Sequence, residues 1–428
     1  MTVEASLDGE PATASDTSVP PAPTAPAPWW DRAGLASIEG RLAIAGADAE
    51  ALAREHGTPL FVYDRRRFVE NAERLAAALT GAGLRHRLRF ALKANPDPRV
   101  LEVLRPLVDI DACSPGEVVR ALECGWPASG ISVTATNLSD RDFDAILAEP
   151  VHLNLDAVSQ VERLGRRLVA GGHPARPIGL RINPGAGAGY NEKLAYSGIR
   201  PTKFGIYADR VDAAVEAAAR HGLPIDTIHV HAGSGWLADG LPAFEAALAV
   251  VVAIARRLTA DGHPIAEINV GGGLGVPARS DERPVGLDAY AAAIARQIRG
   301  LDVAVGCEPG DYLAKDTAIL LAEVVTVEVR AGTTFVGLDV GWNVNCSHFI
   351  YRYAQELVVC RATDAERTER VTVAGHINEA GDLFAEDYDL PPVVEGDIVA
   401  LLNAGGYHQA MSSTHCLRPH AEGLFLDR

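Results

Sequence analysis

The chain has 428 residues, 48% hydrophobic and 22% charged, with a formal net charge of −17. That length predicts two globular domains, and the acidic balance opposes binding to nucleic acid or to an anionic membrane surface. The six cysteines form no Cys-x-x-Cys pair and have no histidine at zinc spacing, which argues against a disulfide framework or a metal site and for a reducing compartment. No window approaches about 18 unbroken apolar residues, and the N-terminus lacks a basic region followed by an apolar core. A cytoplasmic location is expected.

Residues 1–28 are rich in Ala, Pro, Thr and Ser and read as a disordered leader, because they bury too little apolar area to offset ordering. Residues 29–59 read as an N-terminal segment packing with a later β domain. From residue 60 short β-type runs alternate with helical stretches. The runs are Leu60–Asp64, Leu88–Asn95, Val108–Ala112, Ile131–Asn137, Val151–Asp156, Ile178–Pro184, Thr227–Ser234, Ala266–Gly273 and Val303–Gly310. Asp64–Ala82 and Pro242–Asp261 carry helical apolar spacing. About eight such units imply a parallel α/β (β/α)₈ barrel over 60–318, with an open doubly wound sheet as the competing arrangement. After residue 318 the runs Thr326–Val329, Thr334–Asp339, Glu356–Cys360, Val371–Ala374 and Ile398–Leu402 are β-branched and turn-separated. They predict a mostly β C-terminal domain over 319–428.

Chemistry in such a barrel sits at the C-terminal strand ends. Lys93, one of four lysines, closes the run Arg89-Phe90-Ala91-Leu92. Desolvation there is expected to lower its pKa and make it a nucleophilic, Schiff-base-forming amine, although a lysine snorkelling at a strand end gives the same pattern. Gly271-Gly272-Gly273-Leu274-Gly275 follows a strand and precedes a helical stretch. Glycines let backbone N–H groups approach a phosphate; a plain tight turn is the alternative. His229 and His231 share one strand face, ahead of Gly233-Ser234-Gly235. Glu308, in Cys307-Glu308-Pro309-Gly310, needs a partner to stay charged; a pyridinium N–H or a structural cation would serve.

Phe90-Ala91-Leu92-Lys93-Ala94-Asn95 resembles the Lys-Ala-Asn signature of the fold-type III pyridoxal 5′-phosphate (PLP) decarboxylases, the diaminopimelate, ornithine and arginine decarboxylase group. Further matches follow in order: Asp111–Glu117, Leu180–Pro184, Lys203-Phe204-Gly205, His231–Gly235, Gly271–Gly275, Glu308–Gly310, Asn378–Asp382 and Met411-Ser412-Ser413. The resemblance runs from about residue 50 to the end. It implies that Lys93 forms the Schiff base, that His231 stacks on the cofactor ring, and that Gly271, Gly272, Gly273, Ser234 and Tyr407 hold the phosphate. It also implies that Glu308 pairs with the pyridine nitrogen and supports a quinonoid, and that Asp111 and Arg181 lie around the cofactor. Members of this family pair head to tail, so Asn378, Glu379 and Asp382 would reach the site of a second copy.

Three departures bear on substrate. The family's Glu-Pro-Gly-Arg ends here in Asp311. An Arg-Pro pair before Ala-Leu-Tyr is replaced by Ser347-His348-Phe349-Ile350-Tyr351. Neither Asp nor Ser replaces a bidentate arginine, so meso-diaminopimelate is expected to be a poor substrate, with Asp311, Ser347, His348 and Tyr351 shaping the pocket. The family's proton-donating cysteine is Asn378 here, which leaves Cys416, His376, His348, Tyr351 or water as donor. The expected activity is PLP-dependent decarboxylation of an amino acid or a metabolite derived from one. A racemase or epimerase on the same scaffold is the first alternative and a non-catalytic PLP-binding protein the second.

Overall fold

The computed structural model describes residues 27–198 and 200–428. The expected leader, apart from its last two residues, lies outside the described residues.

Eight parallel strands close into a barrel: β1 (His86–Ala91), β2 (Asp109–Ala112), β3 (Ile131–Ala135), β4 (His152–Leu155), β5 (Ile178–Asn183), β6 (Ile225–Val230), β7 (Glu267–Asn269) and β8 (Ala304–Cys307). The ring shuts where Val305 of β8 pairs with His86 of β1, and where Asn154 of β4 pairs with Gly179 of β5. Gly179 is required at that seam, since a Cβ there would stand 1.9 Å from Asn154 Oδ1.

The helices between strands start at explicit stops. Asp64 caps Arg65–Gly81 by accepting from the Arg67 amide at 3.3 Å. Ser114 caps Pro115–Glu123 the same way, with proline in the first turn, where its missing N–H costs nothing. The helix Leu241–Ala260 is apolar enough by composition to cross a membrane. Here it buries Phe244, Leu248, Val251 and Ala255 in the same apolar core as the barrel strands.

The strand Leu60–Asp64, expected to open the barrel, belongs instead to an eight-stranded second sheet. It pairs antiparallel with Ala318–Leu321 and parallel with Glu422–Leu426. Its sequence, Leu-Phe-Val-Tyr-Asp, is buried throughout, and full burial on both faces looks alike in either sheet. The long strand Ala318–Arg330 joins it to Thr333–Leu338 and Ile398–Leu401. Leu383–Leu390, absent from the sequence reading, pairs with Glu369–Ala374; three of its eight residues, Glu386, Asp387 and Asp389, are acidic, which masks the strand signal. Trp30, Leu35, Leu42 and Ile44 of the N-terminal segment pack with Leu60, Val62, Ile319 and Val358 of this sheet.

Candidate active site

A cavity of about 350 Å³ opens at the C-terminal ends of the barrel strands, roofed by the segment Ser347–Tyr353 and by Tyr407 of the β domain. Lys93 stands in it on the short turn Leu92–Ala94 that ends β1. Its side chain is 44% accessible, and Nζ lies 3.4 Å from Asp111 Oδ2 at the end of β2. The expected fall in the Lys93 pKa does not occur. Burial is the largest single influence and acts to lower it, but Asp111, joined by Tyr407, Cys113 and Glu117, together outweighs burial and holds the ammonium well above its ordinary range. Asp111 in turn is raised by its own burial and by the charge of Glu308, against the pull of Lys93.

Glu308 leaves the end of β8 and accepts two hydrogen bonds, from His229 Nε2 at 2.9 Å and Asn269 Nδ2 at 2.6 Å. Burial, the largest single influence, acts to raise its pKa; His229, with Arg89 and Lys93, together outweighs burial and holds the carboxyl below its ordinary range. A carboxylate has about four lone-pair sites, so Glu308 retains acceptor capacity toward the cavity it lines.

His231 is fixed on both sides. The Gly272 amide donates to Nδ1 at 3.3 Å, and Nε2 lies 3.2 Å from Ser234 Oγ. An accepting Nδ1 puts the proton of the neutral ring on Nε2, which then donates to Ser234. Burial, with Arg181 nearby, keeps this imidazole neutral. Tyr196 tilts against it at 5.2 Å.

The glycine loop is tightly walled. A Cβ on Gly273, at φ +102°, would stand 2.0 Å from the Gly233 carbonyl; one on Gly272 would meet the Glu308 carbonyl at 2.3 Å. The expected order of strand, loop and helix is not found: irregular chain leads on to the helix Leu287–Ile298, so backbone amides of a buried loop rather than a helix terminus are what this segment presents. Gly271 shapes the turn, and only Gly272 and Gly273 of the three line the cavity.

Arg181 at β5 is buried, lies 4.8 Å over the Phe204 ring, and has no hydrogen bond or ion pair among the described residues. Such a guanidinium requires an anionic or oxygen-bearing occupant in the cavity it lines. With the donors Lys93 and Ser234, the neutral His231 ring and the accepting carboxylate of Glu308, this set of side chains fits PLP.

Asp311, Ser347 and Tyr351 also line the cavity; His348, Asn378, Glu379 and Asp382 do not. His348 is buried beside Phe384, ring to ring at 4.3 Å. Asp382 turns inward and accepts the Trp342 and Ile377 amides at 2.8 Å each. It thereby pins the exposed loop that carries Asn378 and Glu379. Of the side chains weighed as proton donors, Tyr351 alone reaches the cavity; Cys416 is exposed and His376 contacts Asn343. Sequence reading missed Tyr196, Lys315 and Tyr353 on the cavity wall. Lys315 was readable as the i+4 partner of Asp311, whereas Tyr353 carries no local signal.

A closed parallel barrel with a cavity-facing lysine, a neutral buried histidine and an ionised glutamate at separate strand ends defines a PLP-dependent enzyme. Residues 65–315 match the family model for the pyridoxal-dependent decarboxylase pyridoxal-binding domain. The chain belongs to this fold-type III family and is a PLP-dependent carboxy-lyase. It is 36% identical to a diaminopimelate decarboxylase of Methanothermobacter thermautotrophicus over 390 residues, 89% of each chain. It is 31% identical to that of Zymomonas mobilis, covering 89% of this chain and 90% of the other. The solved structure of the Helicobacter pylori diaminopimelate decarboxylase with L-lysine superposes with a TM-score of 0.82 at 27% identity, covering 89% and 94%.

These likenesses overturn the expectation that meso-diaminopimelate is a poor substrate. That expectation counted charge at positions 311 and 347 in isolation. In the fold, Asp311 is 3.7 Å from the Lys315 ammonium, so the cavity does not carry the net reversal of charge that the single position implied. A small amino acid is the class of ligand that fits.

Proposed function

We propose that this enzyme removes one carboxylate of meso-diaminopimelate, giving L-lysine and CO₂. The observation that carries the reading is likeness over nearly the whole chain to enzymes named for that reaction, with a cavity whose side chains suit the chemistry. PLP, when bound, takes up the electron pair of the breaking bond between the α-carbon and the carboxylate.

The chain's own residues do the rest. Lys93 anchors the cofactor through its amine, and Asp111 beside it governs when that amine is neutral. Glu308, kept ionised by His229, holds a proton on the ring nitrogen. His231, with its tautomer set by Gly272 and Ser234, covers one ring face. Gly271 orders the loop whose Gly272 and Gly273, with Ser234 and Tyr407, take the phosphate. Arg181 meets an oxygen of the cofactor. Asp311, Ser347 and Tyr351 border the substrate, and Tyr351, kept protonated by burial at a pKa of about 12, delivers the proton that replaces CO₂.

The enzyme acts as a cytoplasmic homodimer with shared sites. This is supported by six free cysteines, and by exposed Asn378 and Glu379 lying outside their own cavity, on a loop beside exposed Phe349 and Ile350. The test is PLP-loaded protein given meso-diaminopimelate, L-lysine, L-ornithine and L-arginine in parallel, reading CO₂ and product. Lysine and CO₂ from meso-diaminopimelate are expected. CO₂ from another amino acid, with none from meso-diaminopimelate, would refute the substrate.

A further inference from the structure

A second ammonium faces the cavity. Lys315 lies one helical turn after Asp311, with its side chain 6% accessible, and is part of the cavity wall. Its Nζ is 3.7 Å from Asp311 Oδ1, too long for a direct hydrogen bond, and 3.2 Å from the centroid of the Tyr353 ring. The Tyr353 hydroxyl donates to Asp311 Oδ2 at 3.3 Å. Tyr353 is itself held by Tyr190, ring to ring at 4.3 Å, and Tyr190 donates to Glu282 at 2.8 Å. Barrel and β domain together therefore fix the position of this cation.

An ammonium has three donors, and no hydrogen bond from Nζ is present among the described residues. Burial disfavours its charge, while the Asp311 carboxylate and the Tyr353 π face favour it. A buried cation with open donors on a cavity wall is a receptor for an anion. The glycine loop, Ser234 and Tyr407 already offer donors to a phosphate. Lys315 instead shares its wall with Ser347, Tyr351 and Tyr353, the β-domain side of the cavity.

We propose that Lys315, steadied by Asp311 and Tyr353, binds the carboxylate that the substrate keeps, and so selects a diamino dicarboxylate over an amino acid whose far end is a bare amine. This rests on the substrate reading above. Decarboxylation at one end of meso-diaminopimelate leaves L-lysine, which retains the other carboxylate; cadaverine is the same chain without it. The probes are therefore L-lysine and cadaverine, titrated calorimetrically into PLP-loaded enzyme.

Wild-type protein is expected to bind lysine about 10- to 100-fold more tightly than cadaverine, the range for a hydrogen bond to a charged group. Asp311→Asn/Lys315→Met, which retires both charges and leaves no buried carboxylate unpaired, is expected to lose that ratio. Lys315→Arg, with the cation retained, is expected to keep a preference for lysine. The assignment is overturned if wild type shows no preference, if the double variant keeps the wild-type ratio, or if the double variant loses PLP affinity instead. The two readings fail separately. A lysine preference that depends on Lys315, without turnover of meso-diaminopimelate, sinks the substrate but not the carboxylate site. Turnover of meso-diaminopimelate with an unchanged ratio in the double variant sinks the carboxylate site alone.

Discussion

Asp111→Asn should make Lys93 a better nucleophile in the cofactor-free enzyme. Burial lowers the Lys93 pKa, and the Asp111 carboxylate, 3.4 Å from Nζ, is the largest of the neighbouring groups that together raise it. At that distance and an effective dielectric constant of about 20, Coulomb attraction is roughly 5 kcal/mol. The lysine is 44% accessible, so screening reduces the effect to roughly 1.5–3 kcal/mol, or about 1–2 pH units. The sign follows from what remains after substitution: burial, which favours the neutral amine, is no longer opposed at close range. Asparagine preserves the shape, and Asp111 Oδ1 has no hydrogen-bond partner to lose. Brief cyanate labelling across pH, read by peptide mass spectrometry with exposed Lys193 as internal reference, reports the neutral fraction of Lys93. The midpoint should fall by about 1–2 units in the variant. A midpoint that stays or rises would show that Asp111 does not control this amine.

Gly273→Ala forces a side chain to φ +102° and within 2.0 Å of the Gly233 carbonyl. Backbone strain of about 1–3 kcal/mol and a similar overpacking cost should weaken PLP binding by about 30-fold or more; spectral titration at wild-type affinity would refute the placement of the loop. His348 is held neutral by burial, its pKa lowered to about 4, so the unfolded chain binds the extra proton between about pH 6.5 and 4. Stability is therefore present above that window and lost as pH falls through it, by on the order of 3 kcal/mol. His348→Phe should flatten the fall in thermal midpoint over this window, and an unchanged slope would count against it. Tyr351→Phe should lower kcat by about 100-fold or more with PLP binding intact; a wild-type kcat excludes it as proton donor. Lys93→Ala and Glu379→Gln proteins, each inactive alone, should recover activity when mixed and allowed to exchange subunits; no recovery would argue against shared sites.

The barrel and its strand-end residues were legible because each rests on local pattern. The helix expected at Asp64–Ala82 is found at Arg65–Gly81, and the one at Pro242–Asp261 at Leu241–Ala260. The cavity contains Lys93, His231, Ser234 and Glu308, marked in the sequence by position at a strand end, and Asp111 and Arg181, marked by the family resemblance. What was hidden depends on pairing across the chain. Leu60–Asp64 carries the same apolar run whether it joins the barrel or the other sheet, and its partners, Ala318–Leu321 and Glu422–Leu426, are far away in sequence. The protonation of Lys93 was misread for a related reason: burial is visible as an apolar run, but the neighbouring carboxylate of β2 is not.

Position 311 shows the same limit where it bears on substrate. Taken singly, an aspartate in place of an arginine means repulsion of a substrate carboxylate. Its effect depends instead on the sum of nearby charges at the distances the fold imposes, because Coulomb energy falls with separation and is shared among all partners. Lys315, at 3.7 Å, offsets Asp311 almost at contact, and Tyr353 bonds the other carboxylate oxygen. An anion entering the cavity therefore meets an aspartate already engaged and an ammonium with donors still open. A substitution that reverses charge at one site can thus leave the sign of the pocket unchanged when a compensating lysine lies one helical turn away.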